Sequence, residues 1–211
     1  MLNKFIVMLA IMLAIILAFT FLMSCDNKNN NSSTPDIIKD LIVDYYVDLS
    51  RYIKEEDIGI VEVQSYKEGY LCLVYYSGEG PGIELFKIEK SGDKFKISEV
   101  CSGEMAITMG TEINKVEDDS STIIFGNLNK STGIPQSDKS RETDFEKMKV
   151  ELDNNEFIEE NIKDRLGYLV VIKNSHSIKD VKFYNSKNEI VHSSEDIGIM
   201  EKAFRIHQNI N

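Results

Sequence analysis

Cysteine and histidine are the side chains of this sequence best suited to nucleophilic chemistry. The cysteines are Cys25, Cys72 and Cys101, and the histidines are His176, His192 and His207. A hydrolase would pair one of the last two cysteines with His176 or His192, because a histidine base activates a thiol. Neither cysteine lies at a helix start or in a sharp turn that would lower its pKa. We therefore predict that both behave as small apolar residues, with a Cys/His hydrolase as the alternative.

Two acidic turns offer oxygen ligands for a calcium ion. They are Asp118-Asp119 and Asp153-Asn154-Asn155-Glu156. Neither has the full spacing of an EF-hand loop, so solvated acidic turns are the favoured interpretation and calcium is the alternative. The sequence also lacks the His-x-x-x-His and Cys-x-x-Cys spacings that hold zinc. We predict no metal site and no cofactor.

The glycine-rich segment Gly78-Glu79-Gly80-Pro81-Gly82 has the composition of a phosphate-binding loop. Such a loop needs a following helix and a Lys-Ser or Lys-Thr pair, and neither is found here. Glu79 would also repel an anion. The segment lies between two predicted strands, so we predict a hairpin connection.

A long connection runs from Leu128 to Phe145 and reads LNKSTGIPQSDKSRETDF. Connections of this length inside a β-domain are uncommon and are usually either functional or disordered. Lys130, Lys139 and Arg141 make this one less acidic than the rest of the chain. The sequence leaves a mobile loop and a binding loop both open.

The N-terminus combines a basic residue, Lys4, with an apolar run from Phe5 to Met23. A basic start before an apolar run is typical of a secretory signal. The run is also close to the ~20 residues that span a bilayer. Hydropathy therefore does not separate a cleaved signal from a retained membrane anchor.

The apolar run ends in Leu22-Met23-Ser24-Cys25, which resembles the lipobox of bacterial lipoproteins. In a lipobox a branched apolar residue lies three positions before the cysteine, and a small residue lies just before it. The resemblance implies that residues 1–24 are a signal peptide and that Cys25 receives a diacylglyceryl group. An uncleaved transmembrane anchor is the alternative. In either case the rest of the chain would lie outside the cytoplasm.

The charge of the chain limits its partners. Asp and Glu number 35 against 24 Lys and Arg, so the net charge is −11. An acidic chain is poorly suited to nucleic acid, whose phosphates require clustered lysine and arginine.

Residues 25–36 are polar and predict a flexible tether, with a root-mean-square reach of about 18 Å. The hydrophobic content of 42% is sufficient for a folded core beyond that tether.

Residues 37–119 predict one amphipathic helix followed by an antiparallel meander. Thr34-Pro35 is a suitable helix start. The 3.6-residue period predicts an apolar face toward the sheet and a charged face opposite it. The apolar face contains Ile38, Leu41, Ile42, Tyr45, Leu49, Tyr52 and Ile53, and the charged face contains Asp40, Asp44, Asp48, Arg51 and Glu55. A helix on the membrane surface is the alternative, although its polar face is acidic.

Short strands separated by polar turns make up most of the remaining chain. Residues 120–195 predict a small β-sandwich-like module, and residues 196–211 predict a tail or a short helix. The fold class is therefore α+β, mainly β. Whether the two β-rich modules are one domain or two is left open. In the predicted meander Cys72 and Cys101 lie at opposite ends, too far apart for a disulfide.

The order of these strands and turns is similar to that of uncharacterised Gram-positive cell-envelope lipoproteins. The similarity covers most of residues 58–195 and implies a fold and a location, without an activity. We predict a membrane-anchored, extracytoplasmic lipoprotein that binds an envelope ligand or protein and is not an enzyme. Its other partner is the membrane, through the lipid, and no nucleic acid is expected. The alternative is a cell-envelope hydrolase that uses a Cys/His pair.

Lipid anchoring through Cys25 is directly testable. We expect Cys25→Ala to abolish both lipidation and cleavage after Ser24, because the thiol is the group that carries the lipid. Mass spectrometry of the N-terminal peptide from the wild type and the variant is the measurement. An identical acylated peptide from the variant would show that the lipobox interpretation is wrong.

Overall fold

The computed structural model describes residues 34–49, 53–77, 81–92, 94–105, 110–129, 144–173 and 176–207. Residues 35–211 form one compact unit. The predicted signal peptide, Cys25 and most of the predicted tether lie outside the described residues. Among the helices that the structure describes, none is long and apolar enough to span a membrane.

Most of the described elements are strands, which confirms the mainly β class. The helices are α1 (Thr34–Asp48), a 3-10 helix (Glu55–Asp57) and α2 (Ser194–Ile197). The first seven strands are β1 (Ile58–Tyr66), β2 (Gly69–Tyr76), β3 (Gly82–Ser91), β4 (Lys94–Gly103), β5 (Gly110–Thr111), β6 (Asn114–Asp118) and β7 (Ser121–Asn129). The next seven are β8 (Lys147–Leu152), β9 (Phe157–Asn161), β10 (Gly167–Lys173), β11 (Ile178–Tyr184), β12 (Ile190–Ser193), β13 (Met200–Lys202) and β14 (Arg205–Ile206).

The strands form three sheets. The first sheet has the order β1-β2-β3-β4-β14, and its first four strands are an antiparallel meander. The second has the order β10-β7-β6-β13, with β5 paired to β7. The third has the order β12-β11-β8-β9. The β6–β13 pair is parallel, and the other pairs of the second sheet are antiparallel.

Three apolar cores stack the helix and the sheets into layers. Between α1 and the first sheet lie Ile38, Ile42, Tyr46, Cys72, Val74, Phe86 and Ile88. Between the first and second sheets lie Leu71, Leu73, Leu85, Cys101, Ile123, Phe125 and Leu169. Between the second and third sheets lie Ile124, Met148, Val150, Tyr168, Val170, Val181 and Phe183. The first and second sheets are therefore covered on both faces.

The number of covered faces explains the sequence pattern of each strand. In β2, Leu71 and Leu73 face the second sheet while Cys72 and Val74 face α1, so the strand is a continuous apolar run. In β8 (147–152) buried apolar residues alternate with partly exposed charged ones. The alternation follows because one face of the third sheet is solvated.

Helix α1 confirms the predicted burial of Ile38 and Ile42 and adds Tyr46 to the buried stripe. Ile38, Ile42 and Tyr46 are the fully buried residues, at i, i+4 and i+8. Leu49 is 36% exposed, so its predicted position against the sheet is wrong. The helix ends at Asp48, before Leu49, which removes Leu49 from the helical face. Leu41 and Tyr45 pack at the margin of the same core.

A hairpin crosses the predicted boundary between residues 119 and 120. Strands β6 and β7 pair from Asn114↔Phe125 to Asp118↔Ser121, so residues on both sides of that boundary share one sheet. The two predicted modules are accordingly one compact unit.

The C-terminal segment also differs from the predicted tail or helix. After the single-turn α2, β13 and β14 extend the second and first sheets.

The register of the first sheet corrects the predicted positions of the cysteines. Cys72 pairs with Phe86, and Leu85 pairs with Cys101, so the two cysteines are nearly level along the sheet. The prediction failed because the β3–β4 hairpin extends to Ser91, past Glu89, which pairs with the first residue of β2, Gly69. Both thiols are free and buried. They lie about 10 Å apart across two strand spacings and face opposite cores, beyond the reach of a disulfide.

The buried stripe of α1 can be tested with one buried and one exposed residue. We expect Ile42→Ala to lower the free energy of unfolding by about 2–5 kcal/mol, because it opens a cavity in the core. Val47 is 64% exposed, so we expect Val47→Ala to cost less than ~0.5 kcal/mol. Urea denaturation of both variants is the measurement. Equal shifts of the two midpoints would contradict this helix orientation.

Candidate functional site

A polar groove lies beside the β6–β7 hairpin, and we call it the hairpin groove. Strand β6 contributes Lys115 and Glu117, and the turn and the start of β7 contribute residues 119–122. His176, Ser177 and Ile178, at the start of β11, complete the lining. The groove has a volume of about 650 Å³. Small-molecule sites usually measure about 300–1,000 Å³, so the hairpin groove is large enough for such a ligand.

Hydrogen bonds hold the side chains on the β6–β7 side of the groove. Lys115 Nζ lies 2.8 Å from Glu117 Oε1 and 3.2 Å from Glu201 Oε1. Thr122 Oγ1 donates to Glu117 Oε2 at 2.8 Å. The hydrogen bond from Lys115 is the main cause of the lowered pKa of the Glu117 carboxyl. Both oxygens of Glu117 are therefore oriented before any ligand binds.

On the other side, His176 is held by the turn at residues 153–156. Its Nδ1 lies 3.3 Å from Asp153 Oδ1, and its Nε2 lies 3.4 Å from the side-chain amide nitrogen of Asn154. The Ser177 backbone N–H donates to Asp153 and is the main cause of the lowered pKa of that carboxyl. A Ser-His-Asp triad places a serine hydroxyl at Nε2. Here Asn154 occupies that place, so the arrangement orients His176 without forming a triad.

The carboxylate of Asp118 fixes the hairpin turn against the first sheet. It accepts hydrogen bonds from the Tyr66 hydroxyl and from Lys87 Nζ at 3.0 Å, and Lys67 Nζ lies 2.8 Å away. Burial alone would raise the pKa of Asp118, but the bonds from Lys67, Tyr66 and Lys87 outweigh it and lower the pKa to about 2. Lys87 also pairs with Glu99 at 2.9 Å. This cluster positions the turn that forms one wall of the groove.

These contacts change the interpretation of the two acidic turns. Calcium at Asp118 would have to displace two lysines that already bind both carboxylate oxygens. At the second turn, Asn154 and Glu156 bond to each other at 2.9 Å and Asp153 bonds to His176. Within the described ranges, no group of three or more Asp, Glu, His or Cys side chains is placed to hold a metal ion.

Cys72 lies in the core between α1 and the first sheet, and Cys101 lies in the core between the first and second sheets. Burial raises the pKa of Cys72 to about 12 and that of Cys101 to about 11, which keeps both thiols protonated and poorly nucleophilic. His192 stacks on Phe145 beside the third sheet, and burial lowers its pKa. His207 packs against Tyr45 of α1. These contacts give neither thiol a histidine base.

The structure describes the two strands that the glycine-rich segment joins but leaves most of the connection 128–145 undescribed. Tyr76 pairs with Gly82, which confirms that the glycine-rich segment joins β2 to β3 as a hairpin connection. Residues 78–80 and 130–143 are outside the described residues, so a binding role for the segment 128–145 stays a prediction. Sequence reasoning missed the hairpin groove because its two sides are far apart in the chain, with residues 115, 117 and 119–122 on one side and 176–178 on the other. The sequence signal was the hydroxyl residues on both sides.

Comparisons of the chain with protein-family models, with curated proteins and with solved structures found no match. The function is therefore argued from the geometry and chemistry of the site.

The role of Asp118 can be separated from that of its neighbour Asp119. The Asp118 side chain is 8% exposed and that of Asp119 is 89% exposed. We expect Asp118→Ala to lower the free energy of unfolding by about 3 kcal/mol, because it leaves partly buried Lys87 without one of its carboxylates. Asp119→Ala removes the same charge from the surface and should cost less than ~0.5 kcal/mol. Urea unfolding at neutral pH is the measurement, and equal costs would contradict the assigned role.

The same pair of variants reports the pH dependence of this cluster. The pKa of Asp118 is lowered from 3.8 to about 2, so its contribution is complete above pH 3.8 and is lost as the pH falls toward 2. A shift of this size corresponds to about 2 kcal/mol of stability. Over that range Asp118→Ala should lose less stability than the wild type, whereas Asp119→Ala should follow the wild type. Parallel curves for all three proteins would remove Asp118 as the cause.

Proposed function

We propose that the protein is a lipid-anchored, extracytoplasmic binding protein of the cell envelope, with the hairpin groove as its ligand site. The observation that carries the proposal is the groove itself, with its volume of about 650 Å³ and its polar lining. Its location outside the cytoplasm rests on the lipobox-like sequence that ends at Cys25. The protein would act by binding, without chemical change of the ligand.

The fixed side chains of the groove support binding as its role. Glu117 is oriented from two sides by Lys115 and Thr122, and His176 is oriented by Asp153. A site whose polar groups are already oriented loses less conformational entropy when a ligand binds. The Asp118 cluster contributes in the same way by holding the turn that carries Ser120.

The chemistry of the groove supports a non-catalytic role. The two nitrogens of His176 face Asp153 and Asn154, so no hydroxyl is placed for activation by this imidazole. The thiols of Cys72 and Cys101 are buried in cores, away from the residues that line the groove. The groove thus offers hydrogen-bonding groups without an activated nucleophile.

The short distance between Cys25 and α1 supports a site near the membrane. Residues 26–33 separate the proposed lipidated cysteine from the start of the helix. A flexible tether of this length would have a root-mean-square end-to-end distance of about 16 Å. The folded unit would therefore sample ligands in the layer next to the membrane.

Site-specific photo-crosslinking in intact cells tests the proposal. A benzoylphenylalanine at Ser120 lies in the groove, whereas one at Ser186 lies in the β11–β12 turn. Ser177 and Ser186 flank opposite ends of β11, a strand about 20 Å long, so Ser186 is a matched exposed control. We expect a covalent adduct in the membrane fraction from Ser120→benzoylphenylalanine and none from Ser186→benzoylphenylalanine.

This experiment distinguishes a wrong ligand site from a wrong membrane anchor. Adducts of equal yield from both positions, or none from Ser120, would refute the groove as the ligand site. Recovery of the full-length wild type in the soluble fraction, with or without adducts, would refute the membrane anchor.

A further inference from the structure

The hydrogen-bonding groups of the hairpin groove identify a class of ligand. We infer that the groove binds an uncharged, polyhydroxylated molecule with the chemistry of an oligosaccharide. The inference rests on the proposed binding function and specifies its ligand. It follows from three properties of the groove: its hydroxyl content, the pairing of its charged side chains and its single apolar residue.

Hydroxyl side chains are the most numerous kind in the lining. Ser120, Ser121, Thr122 and Ser177 all line the groove, next to the carboxylate of Glu117. A hydroxyl both donates and accepts, and a carboxylate only accepts. A ligand rich in hydroxyls can pair with both kinds of group, because each of its own hydroxyls is a donor and an acceptor. A ligand that carried only acceptors could not add a hydrogen bond to Glu117, which already accepts from Lys115 and Thr122.

The charged side chains of the groove are already paired within the protein. The Glu117 carboxylate lies 2.8 Å from Lys115, and the Asp119 carboxylate lies 3.4 Å from Lys67. Lys115 also pairs with Glu201 at 3.2 Å. An anion would have to displace two carboxylates from Lys115, and a cation would have to compete with Lys115 and Lys67 for the groove carboxylates. The net charge of −11 on the chain further disfavours an anionic ligand.

One residue of the groove lining is apolar. Ile178, at the start of β11, is partly buried and packs against the core between the second and third sheets. Pyranose rings have an apolar C–H face and a polar rim of hydroxyls. Such a ring can cover Ile178 while its rim reaches Ser120 and Thr122. The volume of the groove is sufficient for a short oligosaccharide.

Titration of the full-length protein with defined probes tests the inference. The lipoprotein is purified in a detergent without a sugar headgroup, which avoids competition. The probes are uncharged trisaccharides of glucose, galactose, mannose and N-acetylglucosamine, with spermidine as the cationic probe and inorganic phosphate as the anionic probe. We expect calorimetry to show saturable binding of at least one trisaccharide and no binding of spermidine or phosphate.

Variants locate the binding within the groove. The double variant Ser120→Ala/Ser177→Ala removes two groove hydroxyls and should weaken trisaccharide binding by about tenfold. Ser186→Ala removes an exposed hydroxyl at the other end of β11 and should leave binding unchanged. Equal urea midpoints for the three proteins would show that the loss is not caused by unfolding.

The outcomes distinguish failure of the inferred ligand class from failure of the proposed binding function. Trisaccharide binding that the double variant does not weaken, or binding of spermidine or phosphate alone, would overturn the inference. A photo-crosslinked adduct at Ser120 without binding of any trisaccharide would refute the ligand class and leave the proposed function standing. Absence of both the adduct and trisaccharide binding would refute both.

Discussion

Burial of both faces of the second sheet is the constraint on which the rest of this structure depends. In β7, Ile123 and Phe125 pack against the first sheet while Ile124 packs toward the third. A sheet without a solvated face has no room for polar side chains except at its edges and at the ends of its strands. In the second sheet, buried polar residues such as Asn114 and Asp118 accordingly lie at the two ends of β6.

The polar groups that do enter this part of the structure have their hydrogen bonds satisfied. Asn114 is fully buried on β6, where its Oδ1 accepts from the Glu104 N–H at 2.6 Å and its Nδ2 donates to the Glu104 carbonyl at 2.9 Å. Asp118, at the end of the same strand, is bound by Tyr66, Lys67 and Lys87. The first contact holds the chain after β4, and the second joins the hairpin to the first sheet. Together they determine where one wall of the hairpin groove lies.

The proposed ligand site follows from this organisation. Its walls come from the β6–β7 hairpin of the second sheet and from the start of β11 in the third. Each wall is continuous with a packed sheet. The hydroxyl and carboxylate groups of the groove are exposed at strand ends, where burial of the sheet faces does not exclude them. The proposed recognition of a polar, uncharged molecule rests on these groups.

The sequence by itself determined the class of the fold and nearly every long strand. Alternation in residues 147–152 and continuous apolar runs such as Leu71–Val74 reflect local geometry, which a single chain segment already encodes. The sequence likewise contains the lipobox-like segment at Cys25. It did not show the relative register of β2 and β4, and so it misplaced Cys101 with respect to Cys72.

Only the tertiary structure decided which segments meet. Strands β13 and β14 are too short for a periodic pattern, and they form because β6 and β4 offer free edges. Asp118 and Asp119 are adjacent residues of the same type. The Asp118 side chain is buried between lysines, whereas the Asp119 side chain is exposed. The hairpin groove joins segments more than fifty residues apart, and pairing over that distance depends on the packing energy of the whole core rather than on local preference.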